Sequence, residues 1–272
     1  MDRFDHGAAI GKMGSLSKID AIGSCCTSDV QHWSLMGCTG CFTQQVIRVD
    51  GDYDATVAQT RVDADAHGWL IVSDTSWPGY MKAPLDVMAG YGVMAREVVR
   101  DLPKAPTHVL LQGGVGGLAA AVAAVFQQEW GENAPRVIVV EPELAPCLFA
   151  SAKAGTATSV NIEAETLMDG LSCGEPSEIA WRVLDSVATD FLTIPETNVA
   201  PTVRMLAQPK NGQTMVEAGE SGVAGLCGLI CAALQDGLRE HLRLDGDSVA
   251  VLIGSEGITD PNIFQQIMTE DI

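Results

Sequence analysis

The chain is poor in positive charge. Across 272 residues, Lys and Arg number 16 against 35 Asp and Glu, a formal net charge of −19. Nucleic acids and anionic membranes are bound by clustered basic side chains, so this balance argues against both as partners. Long apolar runs are missing too, and no segment approaches the ~18 uninterrupted apolar residues of a spanning helix. Met1-Asp2-Arg3-Phe4-Asp5-His6 has neither the basic nor the apolar stretch of a secretory signal, so a cytoplasmic protein is expected. Eight cysteines are too few for a disulfide scaffold in a chain of this length. Internal repeats and low-complexity tracts are absent. With 47% hydrophobic and 19% charged residues the chain falls in the globular class. Its length allows one large domain or two ordinary ones.

The first 45 residues, rich in Gly, Ser and Cys, show no sustained periodicity. Beyond them strands alternate with helices. Strands are predicted at 45–49, 69–72, 108–111, 136–140 and 248–253. Helices are predicted at 54–67, 83–102, 119–126, 177–189 and 221–234, with Gly90 and Gly92 weakening the second. The unbroken β-branched run Arg136 to Val140 is that of a strand buried on both faces. The alternation predicts an α/β fold with a largely parallel sheet.

Within that pattern, Thr107-His108-Val109-Leu110-Leu111-Gln112 is followed by Gly113-Gly114-Val115-Gly116-Gly117 and an Ala-rich helix. Strand, glycine loop and helix together turn backbone N–H groups and a helix N-terminus toward an anion. The loop therefore suggests a phosphate-bearing ligand, with simple packing as the alternative. Ligands of open parallel sheets bind at the carboxyl ends of the strands. Asp74, the 112–117 loop and Ser255-Glu256 all stand at such ends. Turn and N-cap roles for Asp74 and Ser255 stay open at this point.

Cys25, Cys26, Cys38 and Cys41 cluster, and Cys38-x-x-Cys41 has metal or redox spacing. The adjacency of Cys25 and Cys26 is poor geometry for two ligands of one ion, and no metal is expected. Cys227 and Cys231, four apart in an apolar run, are expected in the core.

Six segments, in order, carry a resemblance. They are Ser73-Asp74-Thr75-Ser76-Trp77-Pro78-Gly79-Tyr80 with Lys82 and Pro84; Pro106 to Gln112 with the glycine loop; Val139-Val140-Glu141-Pro142; Gly170-Leu171-Ser172-Cys173-Gly174-Glu175-Pro176; Gly219-Glu220-Ser221-Gly222; and Ser255-Glu256-Gly257-Ile258-Thr259-Asp260. Together they resemble the pyridoxal-phosphate enzymes of the tryptophan-synthase-β fold (fold type II), and among these the diaminopropionate ammonia-lyases. The aspartate–tryptophan and cysteine–glutamate–proline segments point to this lyase family over threonine dehydratase or cysteine synthase.

The resemblance implies a parallel sheet flanked by helices, pyridoxal 5'-phosphate as cofactor, a small amino-acid substrate and a homodimer. It implies α,β-elimination of 2,3-diaminopropionate to pyruvate and two ammonia, with the cofactor ring as electron sink. By position, the N–H groups of Gly113, Gly114, Val115, Gly116 and Gly117 would hold the phosphate. Ser255 would place its hydroxyl on the pyridine nitrogen. Asp74 would act as acid/base, its pKa raised by partial burial. Lys82 lacks the sequence context of the family's Schiff-base lysine. Cys147 and Cys173 match two family cysteines, which implies that they lie close, either as a disulfide near the site's mouth or as free thiols.

The N-terminal segment departs from the family pattern. The Schiff-base lysine should stand before a Gly-Asn-His-Gly motif, of which Phe4-Asp5-His6-Gly7 is a degraded likeness. The family's second acidic residue would fall on Arg3, with Asp2 one position off. The segment from Lys12 to Ile22, which includes Lys18, then resembles a later family stretch. The start thus reads as truncated and rearranged. Residues 1–45 are expected to be an atypical remnant of the small domain, and 46–272 the lyase-like catalytic domain with part of the small domain. Three expectations follow: a diaminopropionate ammonia-lyase, a serine/threonine-type lyase or dehydratase of the same fold, or an inactive phosphate-ligand-binding fragment.

Overall fold

In the computed structural model, residues 8–13, 19–25, 44–209 and 214–269 are described. The apolar runs at 108–111, 136–140 and 248–253 become three strands of a four-stranded sheet, parallel throughout, which a strand at 190–194 completes in the order β7-β6-β5-β8. These are β5 (His108–Gln112), β6 (Arg136–Pro142), β7 (Asp190–Ile194) and β8 (Ala250–Leu252). Gln112 pairs with Val140, and Leu110 with Leu252, so the carboxyl ends of β5, β6 and β8 open on one edge.

Every residue of β5 is buried. Side chains alternate across a strand, and here each face has its own core. Val109, Leu111, Val137 and Val139 pack with Met88, Ala120, Phe126, Trp181 and Leu184. These come from α2 (Lys82–Asp101), α3 (Gly117–Trp130) and α5 (Glu178–Val187). Leu110, Ile138, Val140 and Ile194 pack on the other face against Val203, Ala224, Cys227, Leu242 and Ile267. These belong to α6 (Val199–Ala207), α7 (Ala224–Leu234), α8 (Asp236–Leu242) and α9 (Pro261–Thr269). The result is a three-layer α/β/α sandwich whose central strands β5 and β6 are buried on both sides, which is why these two read as unbroken apolar runs. The short α4 (Cys147–Ala154) follows β6.

A second sheet has the order β3-β2-β1-β4, from β1 (Ala8–Met13), β2 (Ile19–Cys25), β3 (Gln44–Arg48) and β4 (Leu70–Val72). Here β1 is antiparallel to β2 and β4, while β2 and β3 are parallel. Strands β1 and β2 fall in the stretch read as aperiodic. Their Ala and Gly content hides the strand preference that β-branched residues would show. Helix α1 (Tyr53–His67) joins β3 to β4; Asp52 caps it by accepting from the Ala55 N–H at 2.9 Å. Strand β7 and helices α4, α6, α8 and α9 were not anticipated. Asp2, Arg3, Phe4 to Gly7, Lys18, Cys26, Cys38 and Cys41 lie outside the described residues. No helix of the described residues is long and apolar enough to cross a membrane.

Candidate active site

The glycine loop leaves β5 and enters α3 in five residues. Gly114 (φ 63°) and Gly116 (φ 94°) occupy the left-handed region that glycine tolerates best. Gly113 is required by close approach: a Cβ there would stand 2.4 Å from Glu141 Cγ. Of the five amides expected to face a phosphate, two are committed. Gly113 N–H donates to Val140 O at 2.8 Å, extending the β5–β6 ladder, and Gly116 N–H donates to Gly113 O at 3.2 Å. Among the described residues, the amides of Gly114, Val115 and Gly117, with the first turn of α3, are the donors left for an anion.

Asp74 lies two residues beyond β4, half-buried. A Cβ on Gly117 would come within 3.5 Å of the Asp74 carbonyl, so this loop abuts the start of α3. The Tyr53 hydroxyl donates to Asp74 Oδ1 at 2.8 Å. Burial first, and then the neighbouring Asp74 and Cys173, push the Tyr53 phenol well above its ordinary range, so it acts as a donor. The next residues are pinned by serines. Ser76 Oγ accepts from the Ile179 N–H at 2.8 Å and meets Ser177 Oγ at 2.8 Å, while the Ser177 N–H donates to Val115 O at 2.9 Å. A side chain from the Asp74 loop thus caps α5, and α5 in turn grips the glycine loop. Trp77 and Tyr80 stack across a Pro78-Gly79 turn, and the Arg61 guanidinium lies 3.7 Å from the Trp77 ring centroid.

Ser255 stands three residues past β8, exposed. Gln112 Nε2 donates to its Oγ at 2.7 Å, linking it to the residue that opens the glycine loop. Glu256 beside it accepts from the N–H groups of Ser221 (2.7 Å) and Gly222 (3.0 Å), tying the Gly219-Glu220-Ser221-Gly222 segment to the strand end. Burial chiefly, with Glu256, Asp260 and Asp169 nearby, raises the Glu220 carboxyl to about 7. Asp54 accepts from the Gly174 N–H at 2.9 Å; burial chiefly, with Glu175 and Asp52 adding to it, raises its carboxyl to about 6.

Beneath the loop, fully buried Glu141 accepts from the N–H groups of Leu148 (2.9 Å) and Phe149 (2.7 Å), capping α4 from the end of β6. Burial raises its carboxyl to about 7 despite those two donors. Cys147 and Cys173 are buried and form no disulfide among the described residues. The Cys147 Sγ donates to Gly114 O at 3.5 Å, and burial, followed by Glu141 and Cys173, pushes its thiol well up. The Lys82 side chain is 89% exposed and pairs with Asp86 at 2.9 Å. Cys227 is buried and Cys231 half-buried, in the core as expected. Among the described residues, no three His, Cys, Asp or Glu side chains form a metal-binding group.

The structure brings the glycine loop and Ser255 together at the carboxyl edge of the parallel sheet, whereas Asp74 follows β4 of the second sheet, antiparallel to β1, and abuts the loop through its backbone carbonyl. The supporting residues Tyr53, Ser76, Ser177, Gln112 and Glu141 were not assigned roles from sequence. Gln112 and Glu141 carried a signal, each being a polar residue at the end of an apolar strand.

A parallel sheet with a glycine loop leading into a helix, a serine hydroxyl hydrogen-bonded to the residue that opens the loop, and an aspartate-bearing loop packed against the start of that helix define a class. The chain belongs to the pyridoxal-phosphate dependent enzymes, whose family model matches residues 5–255. Within that family it is 36% identical over 233 residues to diaminopropionate ammonia-lyase of Escherichia coli, covering 83% of this chain and 58% of that one. The Salmonella typhimurium diaminopropionate ammonia-lyase is 35% identical over 230 residues, covering 80% of this chain and 57% of its own length. A holo crystal structure of the Escherichia coli enzyme superposes with a TM-score of 0.83 at 33% identity, over 93% of this chain and 64% of that one. The fold is that of a fold type II enzyme. The chain spans less than two thirds of the length of these relatives.

Proposed function

We propose that this chain carries the cofactor clamp and acid/base group of a pyridoxal-phosphate-dependent ammonia-lyase, with 2,3-diaminopropionate as substrate. One observation carries the reading: the backbone carbonyl of Asp74 packs against Gly117 of the glycine loop, and Gln112, which opens that loop, hydrogen-bonds Ser255 at 2.7 Å. The residues fit the cofactor. The amides of Gly114, Val115 and Gly117 hold its phosphate; Gly113 and Gly116 contribute the close approach and the backbone conformation. Ser255, already accepting from Gln112, has its own proton free to donate to the pyridine nitrogen. When bound, the cofactor supplies the electron sink for α-proton removal. Asp74, oriented by Tyr53, takes the α-proton or returns one to the departing amine. Elimination releases the β-amine as ammonia, and one water then hydrolyses the remaining enamine, releasing the α-amine as a second ammonia and the carbon skeleton as pyruvate.

Residues 46–272 are read as the catalytic unit, because every site segment falls inside it. The resemblance supports a cytoplasmic homodimer, and light scattering on the purified protein tests its oligomeric state. Incubation with pyridoxal 5'-phosphate, borohydride reduction and peptide mapping tests the cofactor assignment and identifies any lysine that bonds to it. Pyruvate release from 2,3-diaminopropionate, but not from serine or threonine, is the expected result. Release from serine or threonine alone moves the chain to the dehydratases, and binding without turnover makes it a phosphate-ligand-binding relative.

A further inference from the structure

Gln112 occupies an unusual electrostatic position. It is the last residue of β5, 5% exposed, and its side chain crosses to the end of β8. One atom, Nε2, makes two hydrogen bonds, to Ile253 O at 2.9 Å and to Ser255 Oγ at 2.7 Å. Its Oε1 is buried and takes no partner among the described residues. Such an orphan acceptor costs on the order of 1–3 kcal/mol, so the amide is held this way round by its donors. Ile253 O explains the choice. A carbonyl can only accept, and turning the amide over would set two oxygens against each other. With both amide protons placed, Ser255 Oγ receives one of them, and its own proton must point elsewhere.

We propose that Gln112 is a positioning residue that fixes Ser255 as a hydrogen-bond donor and so keeps the pyridine nitrogen of the bound cofactor unprotonated. The inference rests on the cofactor reading above. Polarity is relayed through three atoms: the Ile253 carbonyl orients the amide, the amide orients the hydroxyl, and the hydroxyl donates to the ring. An oxygen in place of Nε2 carries at most one proton. Ile253 O takes that proton, so Ser255 must then donate to the new side chain and offer its lone pair to the ring, which favours a protonated nitrogen.

The test uses pyridoxal 5'-phosphate labelled with nitrogen-15 in the ring, bound to the full chain and read by NMR. The wild-type resonance should lie at the neutral, hydrogen-bonded position. Gln112→Glu should move it toward the protonated position. The same substitution placed on Ser255→Ala should move it no further, because the relay is already cut. Gln112→Met, which keeps the volume and loses the donors, guards against misfolding of the glutamate variant. It should weaken cofactor binding by up to about tenfold, the value of one lost hydrogen bond, and broaden or shift the resonance. A bound cofactor whose nitrogen is protonated in the wild type, or unmoved by both Gln112 substitutions, overturns the relay alone. A folded wild-type chain that binds no pyridoxal 5'-phosphate overturns the cofactor reading and the relay with it.

Discussion

Replacing Gly113 with alanine puts a methyl carbon 2.4 Å from Glu141 Cγ and 3.2 Å from its Cδ. Carbon atoms rest at about 3.5–4.0 Å. Glu141 has little room to retreat, because its two oxygens are fixed by the amides of Leu148 and Phe149 and its side chain is fully buried. Overpacking of this kind costs about 1–3 kcal/mol. For a chain of this size each kcal/mol is worth roughly 2–4 °C in Tm, so a fall of roughly 2–12 °C is expected in thermal unfolding of the cofactor-free protein. The loop moves with its first residue, so cofactor affinity falls as well, about tenfold for each 1.4 kcal/mol lost from the phosphate contacts. Gly90→Ala supplies the opposite sign. Gly90 lies exposed inside α2, and a Cβ added there would meet nothing within 4 Å, so alanine should stabilise the helix by about 0.5–1 kcal/mol. Gly113→Ala melting with the wild type and binding pyridoxal 5'-phosphate equally well would refute the role given to this close approach.

Further outcomes are expected. Glu141 is held at about 7 in the fold against an ordinary 4.5. The folded chain therefore binds that proton more tightly than the unfolded one, so its stabilising effect is complete below about pH 4.5 and lost as pH rises through about 7. The loss amounts to about 3 kcal/mol, and Asp54 and Glu220 act in the same direction. Denaturant melts should show higher stability at pH 5 than at pH 8, and Glu141→Gln should flatten the difference; an unchanged slope contradicts it. Ser76→Ala removes the cap of α5 and a buried serine–serine hydrogen bond. It should cost about 1–2 kcal/mol in urea unfolding. Tyr53→Phe removes a donor from Asp74. It should slow elimination while leaving cofactor affinity close to wild type, and a parallel loss of both would place Tyr53 in the clamp instead.

The parts of this molecule that could be read from sequence are those whose reasons are local. β5, the glycine loop and α3 announce themselves, because a buried strand needs apolar residues on both faces and the turn needs glycine. Ser255 was legible as a polar residue at the end of a parallel strand, where such a sheet binds its ligands. Asp74 was legible as a polar residue at a strand end, but that strand belongs to the second sheet and runs antiparallel to β1. Strand β7 was missed because most of it is half-buried and it opens with aspartate and closes against Pro195, so it lacks a full apolar run. The supporting residues were missed for another reason. Tyr53 meets Asp74 across 21 positions, Ser76 meets Ser177 across 101, and Gln112 meets Ser255 across 143. No window of sequence contains both partners of such a contact. Even the glycine loop's donors changed on this account, since Gly113 spends its amide on Val140 of the neighbouring strand.

The cap of α5 has a consequence for how the protein assembles. Ser177, at the head of that helix, makes no capping bond of its own, and the Ile179 amide waits for a hydroxyl from Ser76. The helix start therefore gains this protection only when the Asp74 loop is docked, a contact that closes a loop of about a hundred residues. Hydrogen exchange at the Ile179 amide thus reports whether the Asp74 loop is docked on α5. A chain with its sheet complete but this loop undocked would be a folded scaffold without a site.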